Sequence, residues 1–261
     1  MKKLVQPIAL ALLLLPAAAR GEAETCASIL ERSEDKLGMG VQSGKAVLEL
    51  ETHPRTGKPR QRSLEIQSMQ EEGLLRTRVQ ILAPADVAGT AFLTLEREGK
   101  DDEQHMFLPA LGKVRRISGS AKKGSFMGTD FSYADLETRD AEDNHCELVG
   151  EETLEGKKVW HLSTRPKTPD KDDAYSRAEL WVQQETLVPV KIELFDRKEK
   201  LLKVLEVQKV EKRGERFVAT ESTMRNVQKE TWTKMSLGEV DFSAEFPPET
   251  FTSRSLQRLA R

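Results

Sequence analysis

KAVLELETHPRTGKPRQRSLEIQS, residues 45–68, decides the fold. In its first part Ala46, Leu48 and Leu50 alternate with Lys45, Val47 and Glu49. In its second, Leu64, Ile66 and Ser68 alternate with Ser63, Glu65 and Gln67. A period of two places each set on one face of an extended strand. Between the two runs, His53-Pro54-Arg55-Thr56-Gly57-Lys58-Pro59 carries too much Pro and Gly to continue either strand and reads as a turn. The stretch is a β-hairpin with one apolar face, the unit of an antiparallel sheet with one wet side.

The rhythm continues along the chain. Glu71-Glu72-Gly73 turns it into Leu75, Thr77, Val79 and Ile81. Further strands are expected at 89–96, 105–108, 113–117, 147–152, 158–164, 176–183, 188–195, 201–211, 216–226 and 229–237. Turns fall at 97–103, Glu155-Gly156, 196–200 and Arg213-Gly214. About a dozen strands at this spacing leave no room for crossover helices, so the expectation is an antiparallel meander. Three segments break the pattern. Residues 23–38 read as a helix with Cys26, Ile29, Leu30 and Leu37 near one face. Residues 119–140 read as a loop entering a short helix capped by Asp130 or Ser132. Residues 247–261 read as a short helix with Phe251, Leu256 and Leu259 inward. With no internal repeat and no linker, 20–261 are read as one domain.

The composition agrees. Of 261 residues, 38% are hydrophobic and 32% charged, which excludes a disordered chain. Lys and Arg (41) nearly balance Asp and Glu (43), a net charge of −2 that gives nucleic acid no electrostatic hold. Met1-Lys2-Lys3, the apolar run 4–15 and Pro16-Ala17-Ala18-Ala19 form a signal-peptide pattern, residues 1–19, cleaved near Ala19. The run is too short to span a bilayer, so an exported chain that is not an integral membrane protein is expected. Glu24-Thr25 before Cys26 is unsuited to lipid attachment. Cys26 and Cys146 either pair in an oxidising compartment or stand as separate buried thiols.

Catalysis has no visible carriers. GxSxG, P-loop, GxGxxG and HExxH patterns are absent. His53, His105, His145 and His161 share no ligand spacing, so no metal and no cofactor are expected, and the chain is read as a non-enzyme. Acidic clusters at 101–103 and 170–173 fall in turns. The basic run Lys113, Arg115, Arg116, Lys122, Lys123 is either a solvated strand edge or a docking patch for an acidic partner or lipid phosphate. The interior is open to two readings. A bent sheet with Leu, Val, Ile and Met inward is either plugged by the helical segments or keeps an apolar cavity.

Three strings together resemble the outer-membrane lipoprotein-sorting protein family, a longer branch of the LolA-like superfamily. They are Gly89-Thr90-Ala91-Phe92-Leu93, Met106-Phe107-Leu108-Pro109-Ala110-Leu111 with Arg115-Arg116-Ile117, and Ser125-Phe126-Met127-Gly128-Thr129-Asp130-Phe131-Ser132-Tyr133. Leu180-Trp181-Val182 and Val188-Pro189-Val190 add to them. The resemblance implies a mainly β (α+β) fold: a strongly curved, half-open antiparallel barrel of about 11–12 strands, with short helices over the concave face. It further implies a carrier or chaperone for acyl chains of lipoproteins or for free lipid. Its partners would be an inner-membrane exporter and an outer-membrane acceptor. A non-shuttling accessory or sensor protein on the same scaffold is the alternative. Candidates for the cavity or its cover are Phe92, Leu93, Phe107, Leu108, Phe126, Met127, Phe131 and Trp181, with Lys113, Arg115 and Arg116 for docking. For the 125–133 string, Gly128 at a tight turn with Phe126 and Phe131 as anchors is one reading, and a mobile lid is the other.

Overall fold

A computed structural model describes residues 24–33, 41–137 and 143–258. The leader at 1–19, the end of the first expected helix, the close of the 119–140 break and Leu259 lie outside them. The first half of the chain forms β1 (Gly44–His53), β2 (Arg60–Glu71), β3 (Leu74–Ala83), β4 (Ala91–Leu95), β5 (Glu103–Leu108) and β6 (Lys113–Ile117). The second forms β7 (Asn144–Leu154), β8 (Lys157–Pro166), β9 (Arg177–Gln183), β10 (Pro189–Phe195), β11 (Leu201–Arg213), β12 (Arg216–Asn226) and β13 (Thr231–Asp241). Two helices, α1 (Cys26–Ser33) and α2 (Ser253–Arg258), flank them.

The strands make one sheet of thirteen in the order β6-β5-β4-β3-β2-β1-β13-β12-β11-β10-β9-β8-β7. Each run expected as a strand is one, usually longer than its alternation suggests. Every neighbouring pair is antiparallel, and β1 against β13 joins two meanders in register from Leu48↔Leu237 to His53↔Trp232. Tight turns close the hairpins where the sequence supplies residues that accept positive φ. Glu155-Gly156, with φ of 50° and 79°, links β7 to β8 in this way. The sheet remains open, with β6 and β7 as its edges.

The sheet must curl. In the sheet order, β5 and β11 lie seven strand spacings apart, about 34 Å if the sheet were flat at ~4.8 Å each. Yet Tyr133 and Asp135, two residues apart, reach both: Gln104 Nε2 of β5 donates to the Tyr133 carbonyl (2.9 Å), and Lys203 Nζ of β11 donates to Asp135 (2.8 Å). Two residues span about 7 Å, so the opposite halves bend toward each other over one face.

That concave face carries the main core. Leu48, Leu50, Leu64, Ile66, Val79, Ile81, Phe92, Leu162, Leu180, Val182, Ile192, Met224 and Met235 project into it, with Ile29 and Leu30 of α1. A disulfide joins Cys26 of α1 to Cys146 of β7, Cα to Cα 5.6 Å, and holds the helix against that edge. The C-terminal helix goes elsewhere. Phe251 and Leu256 cover Ala91, Leu93, Leu95 and Phe107 on the opposite face of β4 and β5. All five residues of β4 are consequently buried, and the outer face is not wet along its whole length.

Candidate functional site

After Ile117 the chain leaves one sheet edge, and residues 118–137 cross over the mouth of the concavity as far as Lys203 of β11. The crossing contains short 3-10 turns at Gly119–Lys123 and Tyr133–Leu136, joined by a miniature hairpin. Ser125 and Ser132 form an isolated bridge, Phe126 N–H donates to the Phe131 carbonyl (2.7 Å), and Thr129 donates through N–H and hydroxyl to the Phe126 carbonyl (3.0 and 2.6 Å). Met127 and Gly128 make the tip, with φ of 53° and 74°. Glycine accepts that conformation at no steric cost, while methionine is strained in it.

The hairpin turns its aromatics downward. Phe126 is fully buried and meets Phe92 edge-on (5.4 Å) and Tyr133 edge-on (5.8 Å). Tyr133 directs its hydroxyl to Met106 Sδ (3.2 Å), and burial raises its pKa. With Phe131 and the half-buried Met127, these side chains occupy the hollow.

Polar anchors tie the crossing to the walls. The Asp130 carboxylate accepts from the Thr231 and Thr233 hydroxyls of β13, the latter at 2.7 Å. Asp135 is nearly inaccessible and accepts from Lys203 Nζ (2.8 Å), Tyr175 hydroxyl (2.7 Å), Ser132 N–H (2.7 Å) and Ser132 hydroxyl (2.9 Å). Ser132 thus caps the second turn, and Asp130 binds the sheet instead. Burial pushes the Asp135 carboxyl up, but the Lys203 charge and the hydrogen bonds outweigh it and hold its pKa below the usual carboxylate value. Lys122 pairs with Glu137 (2.6 Å) and Asp101 (3.3 Å) at the near edge.

Of the eight expected cavity residues, Phe92, Phe126, Met127 and Phe131 come together here. Leu93 and Phe107 do not, because they alternate with Phe92 and Met106 along their strands and point under α2. Trp181 is also turned outward between Leu180 and Val182. It stacks on His161 (4.4 Å) under Lys191 and donates to Glu152 (3.0 Å). Leu108 is half-buried at the end of β5. Lys113, Arg115 and Arg116 are exposed on edge strand β6. Among the described residues no group of three His, Cys, Asp or Glu could hold a metal ion, and no helix is long and apolar enough to cross a membrane.

Two basic residues were missed in the sequence. Lys203 lies in phase with Leu205, opposite Asn226. Arg62 lies in phase with Leu64 and Ile66 on β2, beneath Gly128, and its Nη1 is buried without a partner. Burial and, next, repulsion by Arg60 lower its pKa. Beside it opens a cleft of about 310 Å3 between the hairpin and the ends of β1, β2, β11 and β13, lined in part by Arg60, Lys123, Asp130, Phe131, Lys203 and Lys229.

An open thirteen-stranded antiparallel sheet, curled around an apolar face and crossed by a short-helical segment, is the LolA-like fold of outer-membrane lipoprotein-sorting proteins. Residues 74–258 match the model of a family described as "Uncharacterized protein", and the chain belongs to that family. Among solved structures it is similar to a protein of Vibrio parahaemolyticus provisionally named an outer membrane lipoprotein-sorting protein domain. That match has 27% identity and a TM-score of 0.79, over 89% of this chain and 98% of that one. A DUF1329 family protein of Desulfovibrio piger is 26% identical, with TM-score 0.80 over 88% and 97% of the two chains. A LolA superfamily protein of Nitrosomonas europaea, 20% identical with TM-score 0.70 over 88% and 98%, shares the fold. Comparison with curated proteins gives no match.

Proposed function

We propose that the chain is a periplasmic carrier or chaperone that holds acyl chains of lipoproteins or other lipids in the concavity and passes them toward the outer membrane. One observation supports this most. The aromatics that fill the hollow belong to a segment outside the sheet, held by a few polar anchors. Raising that segment withdraws Phe126, Phe131 and Tyr133 together and exposes a continuous apolar trough. An acyl chain entering it gains roughly 0.8 kcal/mol per buried methylene, and this gain offsets the lost aromatic contacts. Exchange between the protein's own aromatics and a fatty chain keeps affinity moderate, which suits hand-off. No bond to the cargo is made or broken, so no nucleophile or cofactor is required. Lys113, Arg115 and Arg116 on the β6 edge offer an acidic exporter or acceptor a place to dock.

The test is native mass spectrometry of protein purified from the periplasm, with extraction of bound lipid, on wild type and on Phe126→Ala/Phe131→Ala. Co-purified acylated cargo, altered in amount by the double substitution in a folded protein, is the expected result. A wild-type protein free of lipid and unable to take any up in vitro would overturn the carrier reading.

A further inference from the structure

The cleft beside the hairpin tip has a one-sided charge balance. Arg60, Lys123 and Lys229 stand around it with exposed side chains, and none forms a salt bridge among the described residues, although Lys123 Nζ donates to the Lys171 carbonyl (2.6 Å). Asp135 is paired with Lys203, and Asp130, which lines the cleft, is held by the Thr231 and Thr233 hydroxyls and keeps its charge. Behind Gly128, the buried Nη1 of Arg62 has no partner. A buried guanidinium nitrogen left without a hydrogen-bond partner is costly. Arg60 and Arg62 repel each other, with Asp86 opposing in part, and in the lining of the cleft Arg60, Lys123, Lys203 and Lys229 outnumber the one carboxylate, Asp130.

We propose that this cleft is a phosphate subsite, in which Arg60, Lys123 and Lys229 receive the phosphate of an anionic lipid headgroup or of a free phosphate ester. Guanidinium and ammonium donors suit phosphate oxygens, and arginine can engage two at once. A volume of about 310 Å3 accommodates the phosphate with its glycerol or a similar ester. Phe131 and Leu202 line the cleft and also pack at the main core. A ligand seated by its phosphate therefore directs its remaining atoms toward the concavity. The lipid source rests on the carrier reading, whereas the phosphate subsite does not.

Wild type, Arg60→Glu/Lys229→Glu and the milder Arg60→Gln/Lys229→Gln are compared, all four changes being at exposed side chains. Each protein is titrated with sn-glycerol 3-phosphate. Each is also offered phosphatidylglycerol or diacylglycerol of the same acyl chains from one neutral detergent, with uptake read by native mass spectrometry. The expected result is wild-type uptake of phosphatidylglycerol at least about tenfold above diacylglycerol. The excess should vanish on charge reversal while diacylglycerol uptake is unchanged, which identifies the headgroup as the source. Glycerol phosphate binding that is lost in the variants, with neither lipid taken up, supports the subsite for a free ester and removes the carrier reading instead. Equal uptake of both lipids without glycerol phosphate binding overturns the subsite and leaves the carrier standing. Phosphate binding that survives charge reversal also overturns it.

Discussion

Asp135→Asn tests how the crossing segment is held. The wild-type carboxylate and Lys203 have side chains only 5% and 7% exposed, so each depends on the other for its charge. An Asn side chain can still accept from Ser132, but it leaves the Lys203 ammonium buried without a counter-charge. Removing one partner of such a pair costs about 3–5 kcal/mol. For a chain of this size that lowers the thermal midpoint by roughly 6–20 °C. The pH dependence is a second readout. The folded-state pKa of Asp135 is depressed, so its contribution is complete above the unfolded carboxyl pKa and is lost as pH falls through the folded value. Urea unfolding of wild type should weaken as pH falls through the acid range below about pH 4. Asp135→Asn should be weaker throughout and flatter in that window. Asp135→Asn/Lys203→Leu should recover much of the loss, because the unpaired charge is gone. A single substitution that costs under about 1 kcal/mol, or a double variant no better than the single, would refute the anchor argument.

Three other outcomes are expected. Reducing the Cys26–Cys146 disulfide, which closes a loop of 120 residues, should destabilise the fold by about 2–5 kcal/mol, read as a lowered midpoint with reductant; an unchanged midpoint would show that α1 is held by packing alone. Gly128→Ala should cost about 1–2 kcal/mol by urea titration because φ is 74°, and a cost near zero would refute the strained-tip reading. Leu93→Ala should cost about 2–5 kcal/mol by opening the packing under α2 while leaving lipid uptake of the folded protein intact; loss of uptake at full folding would place Leu93 functionally on the concave side.

The sheet was legible wherever polar and apolar residues alternate, as in β1 and β2, because only one face is buried there. Faces could not be told apart where a strand is apolar at every position. Ala91-Phe92-Leu93-Thr94-Leu95 is buried on both sides, so the alternation that would assign Leu93 and Phe92 disappears. Leu180-Trp181-Val182 hides the outward tryptophan in the same way, and its outward surroundings of His161, Glu152 and Lys191 come from strands that only the fold brings together. The aromatic content of the hairpin and its tight tip were readable from the 125–133 string. The ties that hold it were not, since Asp135–Lys203 and Asp130–Thr233 are separated by 68 and 103 residues. Arg62 carried a readable signal, being in phase with Leu64 and Ile66, but an inward arginine looks the same as a solvated one until a neighbour is seen to cover it.

The stretch that roofs the hollow starts at one free rim of the sheet, where it leaves β6, and is tied at Asp135 to Lys203 of β11 in the far half. On the carrier reading, releasing that tie lifts the roof and lets the two halves of the sheet part together, like loosening a drawstring.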